Sequence, residues 1–230
     1  MSIAGKRIEK AQEALDTAQI DSWKSGLDFV IKNANAKFDE SVDLDVVLGI
    51  DASKGEQTVR GSVLLPNGTG KKIKVLVFAK GDQEQAAKDA GADFVGNDDL
   101  IEKISGGWMD FDVAVATPEM MPKIGKLAKI LGPKGLLPNK KIGTVTENVA
   151  PIVNDLKKGR VSFRNDKGGV VHASFGKVSF GVDKLYDNLV ALIKSIKAAK
   201  PASSKGKFIK KIVISSSMGV GVTLNPDEVV

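Results

Sequence analysis

The spacing of apolar residues predicts different secondary structure in different parts of the chain. Apolar residues recur at helical spacing within residues 5–16, and again after Ser22, which is a candidate N-cap for a second helix. Residues 41–51, SVDLDVVLGID, then alternate apolar and polar positions, as in a strand that is buried on one face. Residues 58–66 predict a further strand, which ends at a proline.

The middle of the chain has a second pattern, in which short apolar strands alternate with helices. Strands are predicted at 72–79, 93–96 and 111–117, and helices at 82–92, 98–107, from 118 onward and at 147–159. Thr117 is a candidate N-cap for the third of these helices, and Pro122 should break or kink it early. This order is typical of a small parallel α/β layer.

The C-terminal part returns to the first pattern. Strands are predicted at 160–166, 170–180 and 207–217, with one long amphipathic helix between the last two. We therefore predict a two-domain α+β / α/β fold. A split α+β domain with antiparallel pairing comprises residues 1–67 plus 159–230, and a parallel βαβ domain is inserted at 68–158.

Charge is distributed unevenly along this pattern. The 230 residues are 42% apolar and 27% charged, with a net charge of +6, which fits either a basic cytosolic domain or a nucleic-acid-binding protein. Residues 120–146 contain six lysines and residues 188–226 contain seven, and neither tract contains an acid. Two acid-free basic tracts favour a surface that binds a polyanion.

Several other classes of function find little support in the sequence. There is no cysteine, no apolar segment of membrane-spanning length and no apolar core of a signal peptide. The single histidine, His172, is expected to be structural, and no metal site is expected. Neither a G-x-S-x-G elbow, a complete P-loop nor a G-x-G-x-x-G fingerprint is present. We therefore expect no cofactor and no enzymatic activity.

The composition also limits the kind of nucleic acid. Aromatic residues make up 5% of the chain, and four arginines stand against 30 lysines, which disfavours stacking on single strands and bidentate reading of guanine. Lysines, hydroxyls and glycines suit the phosphates and ribose hydroxyls of a folded RNA. The candidate stretches are residues 164–172 and 215–221. Without further support, a strand end and a hairpin turn remain the alternative interpretation of the second stretch.

Residues 132–143, GPKGLLPNKKIG, form a third candidate, which we call the basic loop. Its prolines and glycines exclude a helix or an inner strand. Fixed backbone angles would present Lys134, Lys140 and Lys141 to phosphates at low entropic cost. Leu136 and Leu137 are expected to pack beneath the loop.

Three stretches resemble one protein family. ILGPKGLLPNKKIGTV, FRNDKGGVVHASFGKVSF and SSSMGVGVTLNP are similar to motifs of large-subunit ribosomal protein one, the stalk-protein family, in its bacterial type. The resemblance extends over essentially the whole chain. It implies a split terminal domain and a Rossmann-like middle domain that binds no nucleotide.

The resemblance also implies a function. Family members are structural constituents of the large ribosomal subunit that bind a folded stem-loop region of its rRNA. They form a mobile stalk that assists release of deacylated tRNA from the exit site, and they repress translation of their own operon by binding its mRNA. The implied partners are therefore rRNA, operon mRNA and exit-site tRNA, without a membrane, for a cytoplasmic, ribosome-bound protein that is monomeric when free.

Matching the family's motifs residue by residue gives the expected RNA contacts: Lys37, Phe38, Glu40, Ser41, Arg164, Asp166, Lys167, Gly168, Ser217, Met218 and Gly219. Lys134, Lys140 and Lys141 would make a secondary contact. Glycines at the two domain junctions would permit hinge motion: Gly68, Gly70 and Gly159. The alternatives are an extra-ribosomal RNA-binding regulator and an α/β enzyme that binds a small molecule.

Overall fold

The computed structural model describes residues 5–228. Its α-helices are α1 (Lys6–Thr17), α2 (Trp23–Asn33), α3 (Asp82–Asp89), α4 (Asp98–Ser105), α5 (Met121–Ile124), α6 (Ala128–Leu131), α7 (Val149–Lys158) and α8 (Gly181–Ala198). Its strands are β1 (Ser41–Leu48), β2 (Arg60–Leu64), β3 (Val75–Phe78), β4 (Phe94–Gly96), β5 (Val113–Ala116), β6 (Arg160–Arg164), β7 (Val170–Lys177), β8 (Ile209–Ser216) and β9 (Val222–Leu224). Short 3₁₀ segments lie at Gly55–Gln57, Pro118–Met120, Gly125–Leu127 and Val178–Phe180.

The chain divides into two compact units. One unit combines Met1–Gly70 with Val161–Val230, and the other is Lys71–Arg160. The first contains an antiparallel four-stranded sheet and the second a parallel three-stranded sheet. The predicted fold class, a split α+β domain with an inserted parallel α/β domain, is confirmed by this topology. The exact domain limits given above stay a prediction.

The four-stranded sheet has the order β7-β1-β8-β9 and is antiparallel throughout. Every second residue of β1 is buried, because the strand packs one face on the core and turns the other outward. Helices α2 and α8 supply the apolar side chains that pack against this sheet, including Trp23, Leu27, Leu189 and Leu192. The outward-facing residues of β1 are only partly buried.

Local signals explain where these two helices lie. Ser22 and Ser25 form a capping box at the start of α2, as the candidate N-cap predicted. On α8, the buried side includes one polar residue, Asn188. Its amide donates to the carbonyls of Gly68 and Phe175, and its oxygen accepts from the Asn67 N–H. The turn after β2 is therefore fixed to the core by a satisfied buried amide.

In the second unit the parallel sheet has the order β4-β3-β5. All four residues of β3 are buried, as expected for a parallel strand that is covered on both faces. Leu76 and Phe78 pack in one apolar cluster with α4 and the short helices that follow β5, whereas Val75 and Val77 pack in another with α3 and α7. The result is a three-layer, Rossmann-like arrangement.

Two elements differ from the sequence-based expectation. The helix expected after Thr117 is divided into α5, α6 and two 3₁₀ segments, and Thr117 makes no side-chain cap. Pro122 lies in the first turn of α5, where its missing N–H is tolerated. Strand β9 was not predicted, because three residues beside two glycines carry little local strand signal. None of the helices described between residues 5 and 228 is long and apolar enough to cross a membrane.

Candidate nucleic-acid interface

The first group of predicted RNA contacts lies at one end of the four-stranded sheet. Residues 37–41 lead into β1, and residues 217–219 leave β8, which pairs beside β1. The Ser217 N–H donates to the Ser41 carbonyl at 3.0 Å, and the Ser41 N–H donates to Ser217 Oγ at 3.1 Å. These two segments therefore form one surface, which we call the tip.

Glu40, one of the predicted RNA contacts, is buried beneath the tip. It is only 2% exposed, and its carboxylate accepts the Ala36 N–H at 2.9 Å and the Met218 N–H at 3.0 Å. Burial opposes ionisation. The nearby Ser216 hydroxyl, the two N–H donors and the charge of Arg7 outweigh it and lower the pKa of Glu40. Glu40 therefore joins two backbone segments of the tip from beneath, and its contact with RNA stays a prediction.

Two large apolar side chains point outward at the tip. Phe38 is 57% exposed and Met218 is 49% exposed. Gly219, next to Met218, is partly exposed, and a Cβ there would lie 2.5 Å from Ser216 Oγ, so the position favours glycine. An exposed ring and a thioether beside accessible backbone can pack on ribose or on base faces of a folded RNA.

Basic side chains surround the tip. Lys37 is exposed on it, and Lys177 donates from Nζ to the Asp39 carbonyl and to Ser41 Oγ, each at 3.0 Å. From α1, Arg7 Nη2 donates to the Met218 carbonyl at 2.8 Å. Sequence reasoning missed Arg7, because no motif links residues that are 211 positions apart.

The second group of predicted contacts lies at the opposite end of the sheet. Residues 164–168 precede Val170, which pairs with Val47 near the end of β1. We call these residues the β6–β7 turn. At about 3.4 Å per residue, the turn and the tip are separated by roughly 20 Å along β1. The predicted contacts in this unit thus form two surfaces rather than one.

Asp166 shapes the β6–β7 turn. Its Oδ1 accepts the Gly168 N–H at 2.9 Å and the Val170 N–H at 2.7 Å. The Val170 hydrogen bond is the main cause that lowers the pKa of Asp166. With this carboxylate engaged by the backbone, the exposed Arg164 and Lys167 are the cationic groups that the turn presents to solvent.

The outward face of the sheet connects the two surfaces. Its rows follow from the strand register: Ser174, Asp43 and Ser215 in one row, and His172, Asp45 and Val213 in the next. His172 Nδ1 lies 2.6 Å from Asp45 Oδ1. These polar residues were not among the predicted contacts, because alternation in β1 shows that they face outward but not what they face.

The basic loop belongs to the other compact unit. Lys134, Lys140 and Lys141 are exposed, and Leu136 and Leu137 pack against the apolar cluster beneath, as predicted. The loop is closed by the Asn139 N–H, which donates to Thr144 Oγ1 at 2.7 Å. Its shape is thus set by packing and by a side-chain acceptor instead of a strand ladder.

Comparison with known proteins decides the family. The model of the ribosomal protein L1p/L10e family matches residues 30–220, a range that includes the tip, the β6–β7 turn and the basic loop. The chain belongs to this family.

Two relatives match the chain over nearly its full length. Large ribosomal subunit protein uL1 of Desulfosudis oleivorans is 55% identical over 226 residues, which cover 98% of this chain and 97% of the relative. Large ribosomal subunit protein uL1 of Bdellovibrio bacteriovorus is 52% identical over 225 residues, covering 98% and 96%. Membership of the L1p/L10e family implies a structural role in the ribosome, and binding to rRNA is typical of the family.

The expected hinge glycines have the backbone angles that favour glycine. The φ angles of Gly68, Gly70 and Gly159 are 68°, 70° and 108°. Gly159 ends α7 in the left-handed conformation, and a Cβ at Gly70 would lie within 3.0 Å of both Lys177 and Phe180. These angles account for the glycines locally, and hinge motion stays a prediction.

The described part of the chain contains no cluster of side chains suited to bind a metal ion. Across residues 5–228, acidic side chains and His172 nowhere form a group of three or more that could hold a metal ion. His172 and its carboxylate neighbours lie on an open sheet face, where they interact with one another.

Proposed function

We propose that this chain is a component of the large ribosomal subunit that binds a folded region of its rRNA through the tip and the β6–β7 turn. The observation that carries the proposal is the tip. A buried carboxylate fixes two segments so that Phe38, Met218 and the Gly219 backbone face outward beside Lys37. The resemblance of these segments to the family's motifs and the names of the two uL1 relatives support the same assignment.

Binding should be driven largely by phosphate contacts, because lysine dominates the basic residues. If roughly four to eight phosphates are contacted, log K falls with log salt concentration at a slope of about −3 to −7. The test is an equilibrium titration with large-subunit rRNA of the same organism over a series of salt concentrations. A slope near zero would contradict the proposal and would favour a protein partner.

The RNA site itself is best identified by crosslinking. Crosslinking in cells, followed by sequencing of the bound RNA, should recover one folded region of large-subunit rRNA. The alternative of a free-standing regulator is distinguished by sedimentation, since a ribosomal component cosediments with the large subunit in the cytoplasm. Recovery of mRNA alone, without cosedimentation, would favour the regulator.

We extend the proposal to a mobile stalk that assists release of deacylated tRNA from the exit site. The two compact units and the glycines near their junctions supply elements that such movement requires. The test compares tRNA release from ribosomes that lack the chain and from the same ribosomes after the purified chain is added back. Equal release rates would exclude this role while leaving rRNA binding intact.

The same surfaces are proposed to bind the mRNA of the chain's own operon, as the family resemblance implies. A leader that imitates the rRNA fold would compete for the tip and the β6–β7 turn, so one substitution should weaken both interactions. A reporter fused to the operon's leader tests this, with expression measured as the wild-type chain or Met218→Asp is produced in excess. Equal repression by both proteins would contradict a shared site.

A further inference from the structure

His172 has carboxylates on two sides. Its Nδ1 lies 2.6 Å from Oδ1 of Asp45, the cross-strand partner of His172 on β1. Its Nε2 lies 3.7 Å from Oδ2 of Asp166 in the β6–β7 turn. A neutral imidazole carries one N–H and can donate to only one of these groups, whereas an imidazolium can donate toward both. The geometry therefore suits the protonated ring.

Asp166 links this ring to the backbone of the turn. Its other oxygen, Oδ1, accepts the N–H groups of Gly168 and Val170. Asp45 lies within the central part of β1, which is paired on both sides. His172 thus bridges a fixed carboxylate on the sheet and a carboxylate that sets the conformation of the turn.

The charge balance on this face depends on the same ring. The other charged side chains around it come from β1, β8 and the turn: Asp43, Lys211, Arg164 and Lys167. With a neutral imidazole, three carboxylates lie on this face and in the turn without an imidazolium beside them: Asp43, Asp45 and Asp166. Protonated His172 offsets one of these negative charges on a surface that must approach phosphates.

We propose that protonated His172 is a positioning residue for RNA recognition, which holds the β6–β7 turn against the sheet and reduces the negative charge of the sheet face. RNA affinity then falls as His172 loses its proton. This inference rests on the proposed rRNA-binding function, since it concerns how the β6–β7 turn and the sheet face are held in a state that binds RNA.

The direction of the pKa shift agrees with the geometry. The hydrogen bond to Asp45 is the largest cause and raises the pKa of His172, with Asp166 adding to it and burial opposing it. Because the folded pKa is raised, the bridge is complete below the ordinary value of about 6.5 and is lost as pH rises through the folded pKa. The loss of affinity is therefore expected on the alkaline side.

The test measures affinity against pH for wild type and His172→Gln. The probe is large-subunit rRNA of the same organism, transcribed in vitro, at constant ionic strength from about pH 5.5 to 8.5. Wild-type affinity should fall by about three- to tenfold across this range, as for one partly exposed charged group. His172→Gln, which cannot titrate, should show a much flatter profile.

Asp45→Asn and Asp43→Asn provide a matched pair, because each removes one charge from β1 on the same face but only Asp45 contacts His172. Asp45→Asn should move the midpoint toward acid, and Asp43→Asn should leave it nearly unchanged. In the free protein, hydrogen exchange at the Gly168 and Val170 amides should slow upon protonation in wild type only, after correction for the intrinsic pH dependence of exchange.

The outcomes separate this inference from the function on which it rests. The inference alone would be overturned if wild type and His172→Gln bound RNA with the same pH profile. It would also be overturned if exchange of the Gly168 and Val170 amides were the same in both proteins. Failure of the wild-type chain to bind the rRNA at every pH would overturn the proposed function, and the role of His172 in recognition with it.

Discussion

At the level of single residues, Glu40 holds the tip together. One buried carboxylate accepts two backbone N–H groups that come from different segments, at Ala36 and Met218. An acidic residue in a proposed RNA interface is therefore explained by what it does inside the protein. The groups that face solvent around it are the apolar, hydroxyl and basic side chains of the tip.

Replacing Glu40 by Gln should destabilise the fold by about 1–3 kcal/mol, because one of the two N–H groups that it accepts would then face an amide NH2, which cannot accept a hydrogen bond. Glu56→Gln, at an exposed position, is the matched control. Since the folded pKa of Glu40 is lowered, its stabilisation is complete above the unfolded value of about 4.3 and is lost as pH falls through the folded pKa. Urea unfolding at several pH values should show the difference between wild type and Glu40→Gln shrinking in acid. A difference that persists unchanged there would contradict the assignment.

Met218 gives a second test at this level. Met218→Asp should weaken rRNA binding by roughly 2–4 kcal/mol, because a carboxylate would face phosphates at the centre of the tip. The free energy of unfolding should change by less than about 0.5 kcal/mol, as at other exposed positions. Leu64→Asp is the control, since Leu64 is 46% exposed on β2 and lies outside the tip. Unfolding of Met218→Asp, or unaltered binding, would show that the tip is not the contact surface.

At the level of elements, the basic loop presents lysines without belonging to a sheet or a helix. Its conformation comes from Leu136 and Leu137, which pack beneath it, and from the acceptor Thr144. Such a loop can hold three cations in place at little entropic cost on binding. Its contribution to RNA binding should therefore be electrostatic and additive to that of the tip.

The triple variant Lys134→Gln, Lys140→Gln, Lys141→Gln should bind rRNA modestly more weakly than wild type. Its salt slope should be less steep by up to about 2, because fewer counterions are released. The control replaces three exposed lysines of the same unit, Lys72, Lys80 and Lys103, by Gln. Equal slopes for the two triple variants in a salt titration would mean that the loop makes no specific contribution.

Elements with a clear period could be predicted from the sequence, and those set by distant contacts could not. The alternation in β1 and the long apolar stripe of α8 carry their own signal. Strand β9 exists because it pairs with β8, and Asn188 is buried because three backbone groups satisfy its amide. Local propensity contains neither fact, so both had to come from the structure.

In the candidate site, too, local sequence predicted some features, and contacts between distant residues determine the others. Motif stretches predicted which segments form the tip and the β6–β7 turn, and the structure shows that these surfaces lie at opposite ends of β1. The burial of Glu40, the contact from Arg7 and the bridge at His172 all join residues that are far apart in sequence. Their roles follow from strand register and packing, which a list of motif residues does not contain.

At the level of the whole molecule, recognition is assigned to the split unit. The tip and the β6–β7 turn lie in Met1–Gly70 and Val161–Val230, and residues 160–230 hold 12 basic and 5 acidic side chains. Strands β2 and β6, which precede and follow the inserted unit, are neighbours in a two-stranded sheet. Because β6 begins at Arg160, a short linker should be able to replace residues 71–159 and leave both strands intact.

The most direct measurement titrates that shortened chain, with a short Gly/Ser linker in place of residues 71–159, against large-subunit rRNA of the same organism. Circular dichroism and cooperative thermal unfolding establish first that the split unit is folded. We expect specific binding to the same RNA region as the full chain, with an affinity reduced only modestly by loss of the basic loop. A folded split unit that has lost all specific binding would contradict the assignment and would place recognition in the inserted unit.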